Sequence, residues 1–427
     1  MVEKFLAGSA ALFGDPITIA IFVFGVIGGM LFGAIPGVSM LTLAAILLPF
    51  TADLDPAQGV MLFAVIYCTG TYGGAITAIL FNIPGAPENA PTAFDGYPMT
   101  RQGKSGKAVG AAVLCSAIGG VASALVMMAA TEPLANWAIR NIGPPEIFAL
   151  VFFGLAVASS VGGRTIWKGW MSVLLGLLIA TIGQDPVGGI NRYNFGFTDL
   201  AAGIAFVPAI LGFFAVSEIF VQAEKKATGQ YDAPKVGMSF PSVLELWAHK
   251  FAVVRSIFVG FFCGILPGIG ATLAAFMGYG EAVRWSKNKE EFGKGKLEGV
   301  ISSETANNAA TGAAMIPLLA LGLPGGALTA MMVAVFQMHD LEPGPLVFYN
   351  SPELIWIVFA AMFYANLSIL FIGLIETKTI LYLLKIPFQF LAPLILLLAT
   401  IGAYISRGLV LDVMVMFGAG IIGFLLR

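Results

Sequence analysis

Two stretches of the chain place proline beside glycine inside strongly apolar sequence: GAIPGVSM at residues 33–40 and GILPGIGA at 264–271. Proline suits the first position of a helix, where its missing N–H would have been unpaired anyway. Pro36 and Pro267 are therefore expected to start new half-helices, VSMLTLAAILLPF and IGATLAAFMGYG. Gly37, Gly268 and Gly270 let the backbone turn and bring N–H groups close to a ligand. A helix N-terminus carries unpaired donors and about half a unit of positive charge. Two such ends meeting within a membrane would hold an anion without a buried lysine, which lipid makes costly. Val38 and Ser39 in the first stretch and Thr272 in the second complete the candidate contacts. A pair of packing kinks is the structural alternative, and the recurrence of the pattern favours a site.

A second pair of interruptions reads NIPG at 82–85 and GLPG at 322–325, adding Asn82, Pro84, Gly85, Pro324 and Gly325 as substrate candidates. Each follows a helix of small residues and belongs to a polar cluster, one at 81–108 and one at 298–326. In EGVISSETANNAATG, the oxygens of Ser303, Thr305, Asn307 and Asn308 are hard ligands suited to a hard cation such as sodium. Asn307 and Asn308 are the stronger candidates and Glu304 the weaker one. The competing reading is a helix N-cap, since serine and threonine satisfy the first free N–H groups of a helix.

The elements that must position these residues are membrane helices. Of 427 residues, 58% are hydrophobic and 11% charged, against about 25% charged in soluble domains. Runs such as 108–130 and 353–375 approach the roughly 20 apolar residues that span a bilayer. The backbone must satisfy itself in lipid, and long apolar runs do so as helices rather than barrel strands. Segments 38–50, 271–280 and 325–338 are too short to span and read as broken or re-entrant helices. A net charge of −2 offers no basic face for nucleic acid. Cys68, Cys115 and Cys263 lie singly in apolar segments, where small core residues are expected. The first sixteen residues lack a signal-peptide pattern and read as an amphipathic or interfacial segment. The lysine-rich connector at 223–250 is expected in the cytoplasm.

The connector separates two halves with the same order of signals. Pro36-Gly37 and Pro267-Gly268 lie 231 residues apart, and PPEIFALVFF at 144–153 pairs weakly with SPELIWIVFA at 351–360. Interrupted segments at matching positions of two halves point to a secondary transporter's binding site. The expected fold is an all-α polytopic membrane protein built from two related repeats. Its substrate part comprises 17–130 and 251–350, and its scaffold helices 131–222 and 351–427, with an elevator movement between them by analogy. A channel would line its pore with a filter or charged ring, and neither is visible. His249 and His339 are the only histidines, no H-E-x-x-H occurs, and catalysis is not expected. A non-transporting structural subunit would not need duplicated polar breaks.

The stretches YGGAITAILFNIPG, DGYPMTRQGKSGKA, FGKGKLEGVISSETANNAATGAAMIPLLALGLPG, PGIGATLAAFMGYG and LEPGPLVF resemble the large membrane subunit of tripartite tricarboxylate transporters, the TctA family. The resemblance runs from about residue 17 to the end. It implies a bacterial inner-membrane carrier for citrate-like tri- or dicarboxylates, driven by an ion gradient, with sodium favoured over the proton and no other cofactor. It also implies a small TctB-like transmembrane subunit and a periplasmic TctC-like solute-binding protein as partners. A carboxylate channel and a carrier without a binding protein are the alternatives. The sequence departs from the family pattern at Ala75, where serine is common, and at Glu88 and Asn89, where small residues are usual. A carboxylate at Glu88 would repel a polycarboxylate, so Glu88 faces away or the substrate differs. The family pattern also usually continues beyond GFLLR with another apolar segment.

Overall fold

The computed structural model describes residues 1–35, 39–160, 166–185, 188–224, 241–266, 270–383 and 388–426. Pro36, Gly37, Val38, Pro267 and Gly268 lie outside the described residues, as does most of the expected cytoplasmic connector. Among the described residues the regular structure is helical, apart from a two-residue antiparallel pairing, β1 (Gly183–Gln184) with β2 (Asn191–Arg192). The first half contains α1 (Val2–Gly14), α2 (Pro16–Ala34), α3 (Met40–Leu47), α4 (Pro56–Phe81), α5 (Ala90–Arg101), α6 (Ser105–Asn141), α7 (Pro144–Ser160) and α8 (Ile166–Ala180). Then come α9 (Phe206–Ile210) and α10 (Ser217–Glu224), joined by a π-helical turn, followed by α11 (Val243–Ala248), α12 (Lys250–Ile265), α13 (Gly270–Trp285) and α14 (Leu297–Ala313). The remaining helices are α15 (Met315–Leu321), α16 (Ala327–Met338), α17 (Val347–Asn350), α18 (Pro352–Leu383), α19 (Phe388–Arg407) and α20 (Val410–Leu425).

Among the described residues, six helical stretches are long and apolar enough to cross a membrane: Pro16–Ala34, Pro56–Phe81, Ser105–Asn141, Phe206–Glu224, Pro352–Gly373 and Phe390–Arg407. The protein is a multi-pass, all-α membrane protein. Helices α3, α13 and α16 are shorter, with 8, 16 and 12 residues. At 1.5 Å per residue, a helix of 8 residues covers about 12 Å, less than half a bilayer core. The half-helices after the two Pro-Gly pairs thus begin at Met40 and Gly270.

The chain forms two compact units. The first comprises Met1–Leu43, Leu54–Gly143 and Gly229–Ile386. Within it, Asp15 and Asp55 cap the starts of α2 and α4. Asp15 accepts from Thr18 N at 2.9 Å, and Asp55 accepts from Ala57 N at 2.9 Å. Gln58 Nε2 donates to Thr18 Oγ1 at 3.0 Å, so the two starts lie together. Near the end of α2, a Cβ on Gly33 would stand 2.3 Å from Gly70 O in the middle of α4. These two helices therefore run parallel and touch backbone to backbone. Gly25, Gly29 and Gly33 on α2 face α4, a small-residue spacing that replaces the hydrophobic drive absent between helices in lipid.

Helix α14 is the centre of the first unit. Every residue from Gly299 to Ala313 is buried. Gly119 of α6, Gly260 and Gly264 of α12, and Gly278 of α13 all approach its backbone closely. At the N-terminus, α1 lies along α18, where Phe5 stacks on Tyr364 with ring centres 5.9 Å apart. Helix α18 also packs on α4 and α6.

The second unit comprises Ala44–Asp53, Pro144–Thr228 and Pro387–Arg427. Its fixed point is Asp412, fully buried at the start of α20. Arg407, in the last turn of α19, donates from Nε to Asp412 Oδ2 at 2.9 Å and from Nη2 to Oδ1. The same guanidinium donates to Ala202 O at 3.2 Å and Gly203 O at 3.3 Å. One fork thus joins the α19–α20 corner to the segment before α9.

Candidate functional site

The polar residues singled out from the sequence lie in the first unit. The breaks after α4 and α15 have the same local form. Helix α4 ends at Asn82 with φ 59° and α15 at Gly322 with φ 73°, both left-handed. Ile83 N donates to Thr77 O at 3.3 Å and Leu323 N to Pro317 O at 3.0 Å. This pair of bonds, each reaching six residues back, closes both helix ends in the same way and satisfies carbonyls that a helix end leaves free. Pro84 and Pro324 follow two residues later, where a proline stops the helix. Asparagine tolerates the left-handed conformation that the first break requires, which is a structural reason for Asn82 beside any contact with substrate.

Beyond each break the backbone runs close to its neighbours. Gly85 N donates to Gly74 O at 3.3 Å, and a Cβ on Gly85 would stand 1.9 Å from Gly33 O. On the other side, a Cβ on Gly325 would meet Ala314 atoms at 2.9 Å, and one on Gly270 would lie 3.6 Å from Gly325 O. The second break therefore lies against the start of α13. Ser39 O accepts from Thr42 N at 2.9 Å and opens α3.

Ser302 to Thr305 do not form an N-cap. Helix α14 begins at Leu297, so they sit in its second and third turns, with no exposed surface. Residues four apart share one face of a helix, and the polar side chains divide accordingly. Glu304 Oε1 accepts from Thr92 Oγ1 and from Asn307 Nδ2 at 3.4 Å, and its Oε2 accepts from Ser116 Oγ at 2.9 Å. Thr92 Oγ1 also lies 3.0 Å from Ser303 Oγ. Asn308 turns to α4 and donates to Cys68 O at 3.1 Å. Thr305 uses its hydroxyl on Ile301 O within the helix, at 2.7 Å. Of the four ion candidates, Ser303 and Asn307 gather at Glu304, while Thr305 and Asn308 point elsewhere.

Three amide oxygens in this region, on Asn89, Asn307 and Asn308, are buried without a hydrogen-bond partner. Leaving a buried acceptor unmatched costs about 1–3 kcal/mol, so each such atom calls for a reason. Glu88 does not face away from the second break. It is buried, its Oε2 accepts from Thr272 Oγ1 at 3.4 Å, and its backbone carbonyl accepts from Asn307 Nδ2 at 3.4 Å. Asn307 thus touches both the Glu304 cluster and the short helical turn carrying Glu88.

Asp95, in the DGYP stretch of α5, holds the loop that leads into α14. Its Oδ1 accepts from Gly295 N at 2.9 Å and Lys296 N at 2.8 Å, and its Oδ2 accepts from Tyr279 OH at 2.9 Å. One fully buried carboxylate thus fixes α13, the loop and the entry of α14 together.

A profile for the "Tripartite tricarboxylate transporter TctA family" matches residues 19–427. The chain belongs to the TctA family. It is therefore the membrane subunit of a tripartite tricarboxylate transporter, from a family of transporters rather than enzymes. An Agrobacterium vitis protein described as "Uncharacterized 52.8 kDa protein in TAR-I ttuC' 3'region" is 37% identical over 418 residues, covering 96% of this chain and 82% of that relative. A second from the same organism, "Uncharacterized protein in TAR-II ttuC' 3'region", is 38% identical over 167 residues, covering 39% of this chain and 69% of that relative. No solved structure matches the chain.

Thr92, Ser116, Asp95 and Asn366 were not singled out by sequence reasoning. Asn366 is the one with a signal: a lone amide in the apolar run of α18, where lipid makes polar groups costly. It is 1% exposed and donates to Met362 O at 2.8 Å. Gly120 of α6 makes room for it, since a Cβ there would lie 1.8 Å from Asn366 Oδ1.

Proposed function

We propose that this subunit imports citrate-like tri- or dicarboxylates across the bacterial inner membrane by sodium symport. A small TctB-like membrane subunit and a periplasmic TctC-like binding protein complete the transporter. The halves on either side of the connector are read as two related repeats, with 17–130 and 251–350 carrying substrate against scaffold helices 131–222 and 351–427 in an elevator movement. The Pro-Gly breaks, from Pro36 to Ser39 and from Pro267 to Thr272, hold the carboxylate with the loops at Asn82–Gly85 and Pro324-Gly325.

The observation that carries ion coupling is the set of buried amide oxygens without partners on α14, at Asn307 and Asn308. Neutral oxygens held ready in a dry interior suit a dehydrated sodium ion. The buried Glu88 carboxylate beside Thr272 adds a reason for symport. A polycarboxylate near Glu88 meets like charge, and a cation bound in the same transport step offsets part of that cost.

Binding of the two is then linked, and linkage is reciprocal. Asn307→Ala should raise the sodium concentration for half-maximal uptake by about tenfold and weaken substrate binding by a similar factor. Asn308→Ala should act in the same direction. Sodium titrations of carboxylate uptake in reconstituted vesicles measure this, with Lys226→Ala as a control. An unchanged sodium response in both asparagine variants removes them from the ion site.

A further inference from the structure

Among the described residues Glu304 has no charged partner. It is fully buried on α14, and among the described residues no lysine, arginine or histidine forms an ion pair with it. Its contacts include two hydroxyls and an amide, from Thr92, Ser116 and Asn307. An ionised carboxylate without a countercharge is among the costliest groups to bury. Around it stand more oxygens than its hydrogen bonds use. Asn307 Oδ1 is buried and unpartnered, and so is Asn89 Oδ1. Asn89 is tied by its Nδ2 to Thr71 O at 2.8 Å, and its side chain also reaches Glu304. Gly74 of α4 makes room for that amide, because a Cβ there would lie 2.0 Å from Asn89 Oδ1.

A core that buries a carboxyl group without a countercharge and leaves two carbonyl oxygens unmatched in one place has the ligands for a single positive charge. We propose that Glu304 is the charge-bearing ligand of the coupling-ion site, and that one sodium ion binds among its carboxylate, Thr92, Ser116 and the amide oxygens of Asn89 and Asn307. Hydroxyl, amide and carboxylate oxygens together form a hard set with net charge −1, matching one monovalent cation. The proposal rests on the sodium reading above and changes its centre from the two asparagines to the carboxylate between α5, α6 and α14. It also gives the ion a lever on substrate. Asn307 bonds Glu304 with the same nitrogen that bonds the backbone of Glu88, and Glu88 in turn touches Thr272 on the half-helix α13. Filling the site would set this chain of contacts and so the second break.

The test uses sodium itself as the probe. The full chain is purified and its thermal unfolding is followed in sodium chloride against choline chloride; sodium titrations of uptake follow with the complete transporter. Sodium should stabilise the unsubstituted chain, and Glu304→Gln should raise the half-saturating sodium at least about tenfold in both measurements. Glu304→Asp should recover part of the response, which a merely structural role would not require. Should Glu304→Gln fail to fold, Thr92→Val should weaken the sodium response while Thr92→Ser keeps it. A Glu304→Gln protein with an unaltered sodium response, or equal responses in the two Thr92 variants, overturns the proposal alone. An unsubstituted protein that ignores sodium and follows a proton gradient overturns the sodium reading and this site with it.

Discussion

Gly85→Ala should cut carboxylate uptake at least about tenfold, while Gly326→Ala, two residues past Pro324, should leave it close to the unsubstituted level. Gly85 is the glycine of the first of these Pro-Gly breaks and Gly326 directly follows the second, and their surroundings differ. A Cβ on Gly85 would stand 1.9 Å from Gly33 O and 2.7 Å from Gly74 Cα, both parts of rigid, packed helices. The neighbour is backbone and cannot rotate aside, so the loop must move. Overpacking of this kind costs about 1–3 kcal/mol, and the strain falls on the loop that bears Asn82 and Pro84. A Cβ on Gly326 meets nothing nearer than 3.9 Å, and its φ of −177° suits any residue. Uptake normalised to membrane protein level separates the two. Equal activity of both variants would mean that the close approach of the first break has no bearing on transport.

Arg407→Ala should destabilise the second unit by about 3–5 kcal/mol, because it leaves Asp412 charged, buried and alone. The loss is not one of a surface ion pair, which is worth at most about 1 kcal/mol. Arg407 also supplies the donors for Ala202 O and Gly203 O, so three pieces of chain lose their common tie. Removing the stranded carboxylate as well should restore part of the stability, since the two residues act as a pair. Thermal unfolding of Arg407→Ala, Asp412→Ala and the double variant measures this. A single Arg407→Ala protein as stable as the unsubstituted one contradicts this account of the corner.

The fold class was legible because lipid leaves few choices: apolar runs near twenty residues must be helices, and six such stretches are found among the described residues. The breaks at Asn82–Gly85 and Gly322–Gly325 were legible too, since Pro-Gly within an apolar run has few other uses. Four features escaped the sequence. The SSET stretch reads equally as a cap, and only the start of α14 at Leu297 shows that it lies inside the helix. Glu304 looked the weaker candidate because its partners, Thr92 and Ser116, are 212 and 188 residues away in sequence. Asp95 resembles an ordinary turn acid until Gly295 and Lys296 are found against it. Arg407 and Asp412 are five residues apart, a spacing that on one helix would not pair them; the corner at Gly408, with φ 70°, brings them together. Long-range pairing leaves no local periodicity to read.

The most direct measurement of the central claim is uptake of labelled citrate and related di- and tricarboxylates into vesicles containing this subunit. It is made with and without a sodium gradient, and with and without the small membrane subunit and binding protein. The account expects uptake at low substrate only when all three proteins and inward-directed sodium are present. Full high-affinity uptake by this chain alone, or uptake indifferent to sodium, would contradict it.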